Sequence, residues 1–315
     1  MAVKTWSTPA AGEEKRPVPC TLCGGARFAP RFTCGEHDIP FCYVRCTACG
    51  LVQINPQPES AAVRARYGAD YLDYEKANEG AFLRLQELAL LDAGFFTIER
   101  ELLKKRGPAG TASSSASVTP GQPAALDRPT LLDRPTVLDI GCATGALLRS
   151  LRDRGWDVRG LEIAAPQAAY CRERGLDVRA LPLEHGGFPD ALFDAVLASH
   201  LIEHLNDPGA FVREAYRICK PGGRLYVTTP NIAGFQARLF GGRWRSAIFD
   251  HLYLFSIKTL GRLLERAGFR VERIRTWGGL AAGIAPVPVK RAADTLAKAL
   301  GAGDVMIIRA RRPAA

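Results

Sequence analysis

No apolar run in this 315-residue chain approaches the length needed to span a bilayer. The opening stretch, MAVKTWSTPAAGEEKRP, has no apolar core of the kind an export signal carries, so the chain reads as cytoplasmic. A long basic tract is missing too. The formal net charge is +10, but Lys and Arg are scattered, which reads as a solvated surface and against nucleic acid as a partner. Only two local basic clusters stand out: Arg238, Arg243 and Arg245, and Lys290, Arg291 and Lys298. With 47% hydrophobic and 23% charged residues, the chain can bury one large core and a small one.

Nine cysteines without an export signal argue against a disulfide framework. Four of them form two C-x-x-C-G knuckles, Cys20-Thr-Leu-Cys23-Gly and Cys46-Thr-Ala-Cys49-Gly, separated by 22 residues. Each knuckle can place two thiolates on one tetrahedral ion, and its glycine permits the tight turn. Four thiolates close the coordination sphere, so a zinc held by Cys20, Cys23, Cys46 and Cys49 would be structural. Cys34 and Cys42 lie between the knuckles and are alternative ligands of poorer spacing. Cys142, Cys171 and Cys219 read as reduced thiols.

The composition divides the chain. Residues 1–17 are polar and bracketed by prolines. Residues 18–56 form the cysteine-rich ribbon, with short strand-like pieces at Arg45 and at 51–54. Residues 57–106 read as helical, with Phe82, Leu85, Leu88 and Leu91 repeating at helical spacing. Residues 107–130, GPAGTASSSASVTPGQPAALDRPT, are nearly devoid of large apolar groups and read as a flexible linker. The region 131–315 is the large domain. From Thr136, strand-like runs (136–140, 158–161, 178–180, 193–198, 224–228, 269–275, 305–309) alternate with helix-like runs (146–154, 166–174, 208–219, 257–267). That order predicts an α/β domain with a mainly parallel sheet covered on both faces.

The strongest chemical signal is VLDIGCATG, residues 137–145: an apolar strand, an acid, a glycine-bearing loop and a helix. In an open parallel sheet a ligand sits at this carboxyl edge. Gly141 permits close approach of the ligand and Gly145 tight packing of the helix. The G-x-G-x-x-G array of a dinucleotide site is absent, because Ala143 and Ala146 occupy its later glycine positions. Asp139 would repel a pyrophosphate but suits a cationic amino-acid ligand. Glu162, ending the next strand in GLE, can accept hydrogen bonds from ribose hydroxyls.

These segments, with FPDALFDAVLASHLIEHLNDPGAFVREAYRICKPGGRLYVTTPN and DHLYLFSIKTLGRLLERAGF, resemble class I S-adenosylmethionine-dependent methyltransferases. The likeness runs over 136–311 and is strongest to the group holding ubiquinone-type O-methyltransferases and small-molecule and glycan-tailoring enzymes. It implies a Rossmann-like, seven-stranded sheet whose last strand is antiparallel. It further implies S-adenosylmethionine over the 139–145 loop (Asp139, Gly141, Cys142, Gly145), with Glu162 at the ribose. Leu183 and Glu184 would lie near the adenine, and the backbone of Ser199 and His200 would complete the site. Ala143 departs from the glycine many members carry. The ribbon, followed by NPQP from Asn55 and by Tyr67 and Tyr71, resembles the N-terminus of some tailoring enzymes, including sugar C-methyltransferases.

His200, Glu203 and His204 fall on one face if this stretch is helical. They either cap the helix and shape the methionine pocket, supply a general base (His204 or His200), or hold a divalent metal. Related ubiquinone-type enzymes have Glu at position 200, which counts against a transferred metal site. In the 231–255 loop, His251 is another candidate base or else a packed residue. Arg243 and Arg245 could meet a phosphate or carboxylate on the acceptor. The expected activity is methyl transfer to a small-molecule, sugar or lipid-linked acceptor, first of all to oxygen. The rivals are an RNA methyltransferase that grips RNA through the ribbon and a non-catalytic cofactor-binding scaffold. Against the first, residues 18–50 carry only Arg27, Arg31 and Arg45, offset by Glu36 and Asp38.

Overall fold

The structure, a computed structural model, describes residues 15–36, 39–58, 69–105, 134–279 and 286–314. The 107–130 segment read above as a linker lies outside these residues, as do residues 1–14.

The N-terminal part contains β1 (Lys15–Arg16), β2 (Phe28–Glu36), β3 (Ile39–Cys46), β4 (Val52–Ile54) and β5 (Gln57–Pro58). β2 and β3 make a long antiparallel hairpin where only short pieces were expected. Its cause is the alternation at the centre of β3, where Phe41 and Tyr43 point inward and Cys42 outward; the alternation slips by one residue before buried Cys46. Two helices follow, α1 (Ala69–Ala93) and α2 (Phe95–Lys105), joined at Gly94 with φ +77°. Here the apolar spacing misleads. Phe82, Leu85, Leu88 and Leu91 are exposed, and α1 instead buries Leu72, Ala89, Leu90 and Ala93. Small alanines allow close approach to the sheet. Polar anchors fix the helix's rotation: Glu79 pairs with Arg149 at 2.8 Å, and Glu87 accepts from Ser150 Oγ at 2.7 Å.

The large domain runs β6 (Thr136–Ile140), α3 (Ala146–Asp153), β7 (Asp157–Leu161), α4 (Ala165–Glu173), β8 (Val178–Arg179), β9 (Phe193–Ser199), α5 (Pro208–Ile218), β10 (Cys219–Pro230), α6 (Phe235–Phe240), β11 (Tyr253–Leu254), α7 (Ile257–Arg266), β12 (Arg270–Trp277), α8 (Val287–Ala299) and β13 (Val305–Arg311). Seven strands form one sheet in the order β12-β13-β10-β9-β6-β7-β8, with β13 antiparallel to both neighbours. This is the Rossmann-like sheet expected. α8 lies in the 276–303 stretch, where no helix was anticipated. Every residue of β6 is buried, as befits a central strand covered on both faces. One face packs on α1–α4 around Trp156, which stacks on Phe95 at 5.2 Å and donates its indole N–H to Glu99 at 2.8 Å.

The other face packs on α5 and α7, and the ribbon joins the same core. Cys20, Leu22, Cys46 and Leu51 are buried with Phe211, Leu260 and Leu264. β11, from the large domain, adds itself antiparallel to β4. The Tyr43 hydroxyl sits 2.9 and 2.7 Å from the carbonyl oxygens of Ile248 and His251. The ribbon is thereby built into the loop that follows β10.

Candidate active site

The strand order reverses at β6, between β7 and β9, and the candidate residues gather at the carboxyl ends of these strands. After β6 the chain turns through Gly141 (φ +73°), Ala143 (φ +50°) and Gly145 (φ +70°). A Cβ at Gly145 would meet Leu176 Cδ1 at 2.5 Å and Cys171 Sγ at 3.0 Å, so this glycine is needed for close helix packing. At Gly141 a Cβ would meet only Leu201, at 3.5 Å, so the demand there is the positive φ. Ala143 adopts the left-handed conformation that glycine would take without strain. Its N–H donates to Glu162 Oε2 at 3.0 Å, linking the loop to the next strand. Glu162 Oε1 accepts from Ala164 N at 3.0 Å. Leu183 and Glu184 sit in a short 3-10 turn after β8.

The loop is a negatively charged hole. Asp139 is fully enclosed, and its Oδ2 has no hydrogen-bond partner among the described residues. Burial pushes its carboxyl up to about 7, and the Glu162 charge adds to the effect. Glu162 is itself raised by burial. Unpaired buried acids are costly, and a cation would offset that cost. S-Adenosylmethionine carries two positive groups, an ammonium and a sulfonium, so the acids present fit it.

The histidines part company. Residues Ile202–His204 form a single 3-10 turn, and His200 stands before it with φ +51°. The helical face expected for 200, 203 and 204 does not form. A bend brings His200 back instead, its Nδ1 lying 3.3 Å from Oε1 of the fully buried Glu203. Half of the His200 side chain is open to solvent at the carboxyl end of β9. Glu203 Oε2 accepts from Thr229 Oγ1 at 2.9 Å. Burial opposes ionisation of Glu203, but His200, His204 and His251 outweigh it and hold the carboxyl at about 2.

His204 and His251 contact each other edge to face at 4.7 Å. His204 Nδ1 lies 2.9 Å from Asp250 O, and His251 Nδ1 lies 2.8 Å from Ser246 O. Both Nδ1 atoms therefore donate, which leaves each Nε2 as a lone-pair donor. Burial and the neighbouring His204 press His251 down to about 3, so it is a neutral imidazole at working pH. One ligand atom each from Glu203, His204 and His251 lies within 4.8 Å of the others. The metal-competent trio thus includes His251 rather than His200, and main-chain carbonyls orient both imidazoles, as metal-binding histidines require.

The second cluster is the expected one. Sγ atoms of Cys20, Cys23, Cys46 and Cys49 all lie within 4.8 Å of one another, with Cys20–Cys49 at 3.4 Å and Cys23–Cys46 at 3.5 Å. Gly24 and Gly50 turn the two knuckles at φ +73° and +82°. Cys34 and Cys42 stand apart; Cys34 belongs to a separate apolar cluster. On the acceptor side, Arg245 Nε is paired at 2.6 Å with buried Asp304, which also accepts from the Trp244 indole. Arg243 is exposed and lines a cavity of about 470 Å³ between the β2–β3 hairpin and the 240–248 loop. The sequence reading passed over Tyr43, described above, and Glu75, whose carboxyl is buried under α1 near Glu162. An acid inside an apolar helical pattern was the one signal available for the latter.

Residues 118–274 match the model of a methyltransferase-domain family. The chain is 36% identical over 136 residues to a protein of Mycolicibacterium smegmatis named as a probable S-adenosylmethionine-dependent methyltransferase, covering 42% of this chain and 51% of that one. It is 36% identical over 103 residues to a ubiquinone biosynthesis O-methyltransferase of Caulobacter vibrioides, covering 30% and 40%. A solved S-adenosylmethionine-dependent methyltransferase from Thermotoga maritima is 26% identical, with a TM-score of 0.44, covering 58% of this chain and 84% of that one. The chain spans about half the length of the curated relatives it matches. No helix among the described residues is long and apolar enough to cross a membrane. The family-model match over 118–274 falls on the seven-stranded, Rossmann-like sheet with the acidic loop at its switch point, so this chain carries a methyltransferase domain similar to those of S-adenosylmethionine-dependent methyltransferases.

Proposed function

We propose that the chain transfers a methyl group from S-adenosylmethionine to an oxygen of a small-molecule, sugar or lipid-linked acceptor. The observation that carries the reading is one edge of the sheet. There, two buried acids that suit a cation, Asp139 with an unpartnered oxygen and Glu162, stand beside a histidine–glutamate pair that suits a hydroxyl. When bound, the cofactor supplies an electrophilic methyl on a sulfonium. Asp139 would face its cationic amino-acid part, the Gly141–Gly145 loop (including Cys142) its backbone-contacting side, and Glu162 its ribose. Leu183, Glu184, Ser199 and the His200 backbone would close the pocket.

His200 acts as the base. Its Nε2 would take the proton of the acceptor hydroxyl as that oxygen is methylated. Glu203 fixes the ring through Nδ1 and stabilises the imidazolium. His204 and His251 act as positioning residues under this reading. Arg243 offers a contact for a phosphate or carboxylate on the acceptor. The four thiolates would hold one structural zinc and complete its coordination. Methyl-labelled cofactor incubated with extracts of small molecules tests the activity: label should enter a base-stable ether in wild type and fall about 100-fold with His200→Gln.

A second use of the site is favoured by one observation, the convergence of Glu203, His204 and His251. Two imidazoles and a carboxylate suit a divalent ion that would bind the acceptor oxygen. Turnover that vanishes on dialysis against chelator and returns with a divalent salt, zinc in the ribbon being retained, selects this arrangement over His200 alone.

A further inference from the structure

Four contacts clamp α1 against α3, α4 and β13. Glu79 pairs with Arg149 at 2.8 Å, and Glu87 accepts from Ser150 at 2.7 Å. Lys76 Nζ lies 4.8 Å from the centre of the Tyr170 ring, and Arg309 donates to the Ala93 carbonyl at 2.8 Å. The clamp turns Glu75 inward, toward the carboxyl end of β7. Glu75 is buried, and its Oε2 has no hydrogen-bond partner among the described residues. Burial, followed by the charge of Glu162, raises its carboxyl to about 7, which places the two acids within electrostatic reach. Across from it, in the first turn of α4, Gln167 is only 1% exposed. Gln167 and Tyr71 both reach toward the Glu75 carboxyl and partly offset the effect of its burial, but neither Oε1 nor Nε2 of Gln167 makes a hydrogen bond of full geometry among the described residues.

A buried amide without hydrogen bonds of full geometry, beside a buried carboxylate with an unpartnered oxygen, is unfavourable unless a ligand completes the set. Glu75, with Gln167 beside it, lies within electrostatic reach of Glu162, whose two oxygens already hold backbone N–H groups and have lone pairs left. A ribose diol matches this set: its two hydroxyls donate to carboxylates and accept from an amide N–H. Resting on the cofactor reading above, we infer that Glu75 and Gln167 are further cofactor-binding residues that, with Glu162, enclose the ribose hydroxyls from the α1 side. Glu75 is the one acid of this site that comes from outside the large domain. In this arrangement α1 is part of the cofactor pocket, and the 69–93 segment is required for binding rather than for linkage.

The test is calorimetric titration of the full chain with S-adenosylhomocysteine, and with 5′-methylthioadenosine beside its 2′-deoxy and 3′-deoxy analogues. In wild type, loss of one ribose hydroxyl should weaken binding about tenfold. Glu75→Ala should weaken S-adenosylhomocysteine at least tenfold, while the penalty for the deleted hydroxyl shrinks below about threefold, the mark of a direct contact. Glu75→Gln keeps the packing and one acceptor, and should fall between; it serves if the alanine variant does not fold. An unchanged affinity in either folded variant, or a hydroxyl penalty equal to that of wild type, overturns the inference alone. Wild-type protein that takes up no S-adenosylhomocysteine overturns the cofactor reading and this inference with it.

Discussion

Asp139→Asn should make the free protein more stable at neutral pH and destroy its ability to bind cofactor. Asp139 is enclosed on β6, and its carboxyl moves from the usual 3.8 to about 7, first through burial and then through Glu162. Below pH 4 the group is neutral in the folded and the unfolded chain and has no effect on stability. Between pH 4 and 7 the unfolded chain gives up its proton while the folded one keeps it, so stability falls as pH rises through this window. Above about 7 the difference is constant. The displacement corresponds to at most about 4 kcal/mol, and relaxation around the site would leave about 2–4 kcal/mol. A domain of this size gains about 2–4 °C for each kcal/mol. The asparagine variant should therefore melt about 5–10 °C above wild type at pH 8 and together with it at pH 4. Its affinity for S-adenosylhomocysteine should drop at least 100-fold, and cofactor should no longer raise its melting temperature. Thermal scans from pH 4 to 8, with and without ligand, check both parts. An asparagine variant less stable than wild type at pH 8, or one that binds normally, refutes the argument that this acid is held unpaired for a cation.

Further outcomes follow from the same geometry. His200→Gln should lower kcat about 100-fold while leaving S-adenosylhomocysteine affinity within about threefold, because the half-exposed ring turns Nδ1 to Glu203 and, under the proposed reading, leaves Nε2 for the acceptor. Cys46→Ser should lose the zinc, read by metal analysis. Because β11 pairs with β4, and Tyr43 reaches the carbonyls of Ile248 and His251, it should raise the KM for acceptor more than that for cofactor. Ala143→Gly should gain about 1 kcal/mol in unfolding free energy by denaturant titration, since it relieves the left-handed φ of +50° while keeping the N–H to Glu162.

The sheet was legible from Thr136 onward because buried strands and amphipathic helices alternate without interruption, and two C-x-x-C-G knuckles announced the four-sulfur cluster. Asp139 and Glu162 were visible as acids that close apolar strands. What spacing could not convey was backbone curvature. His200, Glu203 and His204 share a face only in a regular helix, and the chain instead turns at His200 with positive φ, which separates its exposed ring from His204. His251 lies 47 residues beyond His204, and only the fold of the 231–255 loop brings the two rings to 4.7 Å. The α1 stripe misled for a different reason. Its inner face is set by Leu72, Leu90 and alanines and by the Glu79–Arg149 ion pair to α3, so the Phe82, Leu85, Leu88 and Leu91 stripe was left outside. Glu75 is hidden to pattern reading for the same cause, being a charged residue on the buried side.

The central claim is that the acids at the ends of β6 and β7 form a site for S-adenosylmethionine, and the most direct measurement is titration calorimetry of the purified chain. Wild type should bind one S-adenosylhomocysteine per chain with micromolar or tighter affinity, and Asp139→Ala, still folded by circular dichroism, should show no heat of binding. A wild-type protein that binds neither S-adenosylhomocysteine nor S-adenosylmethionine, or an Asp139→Ala variant that binds as wild type does, would contradict it.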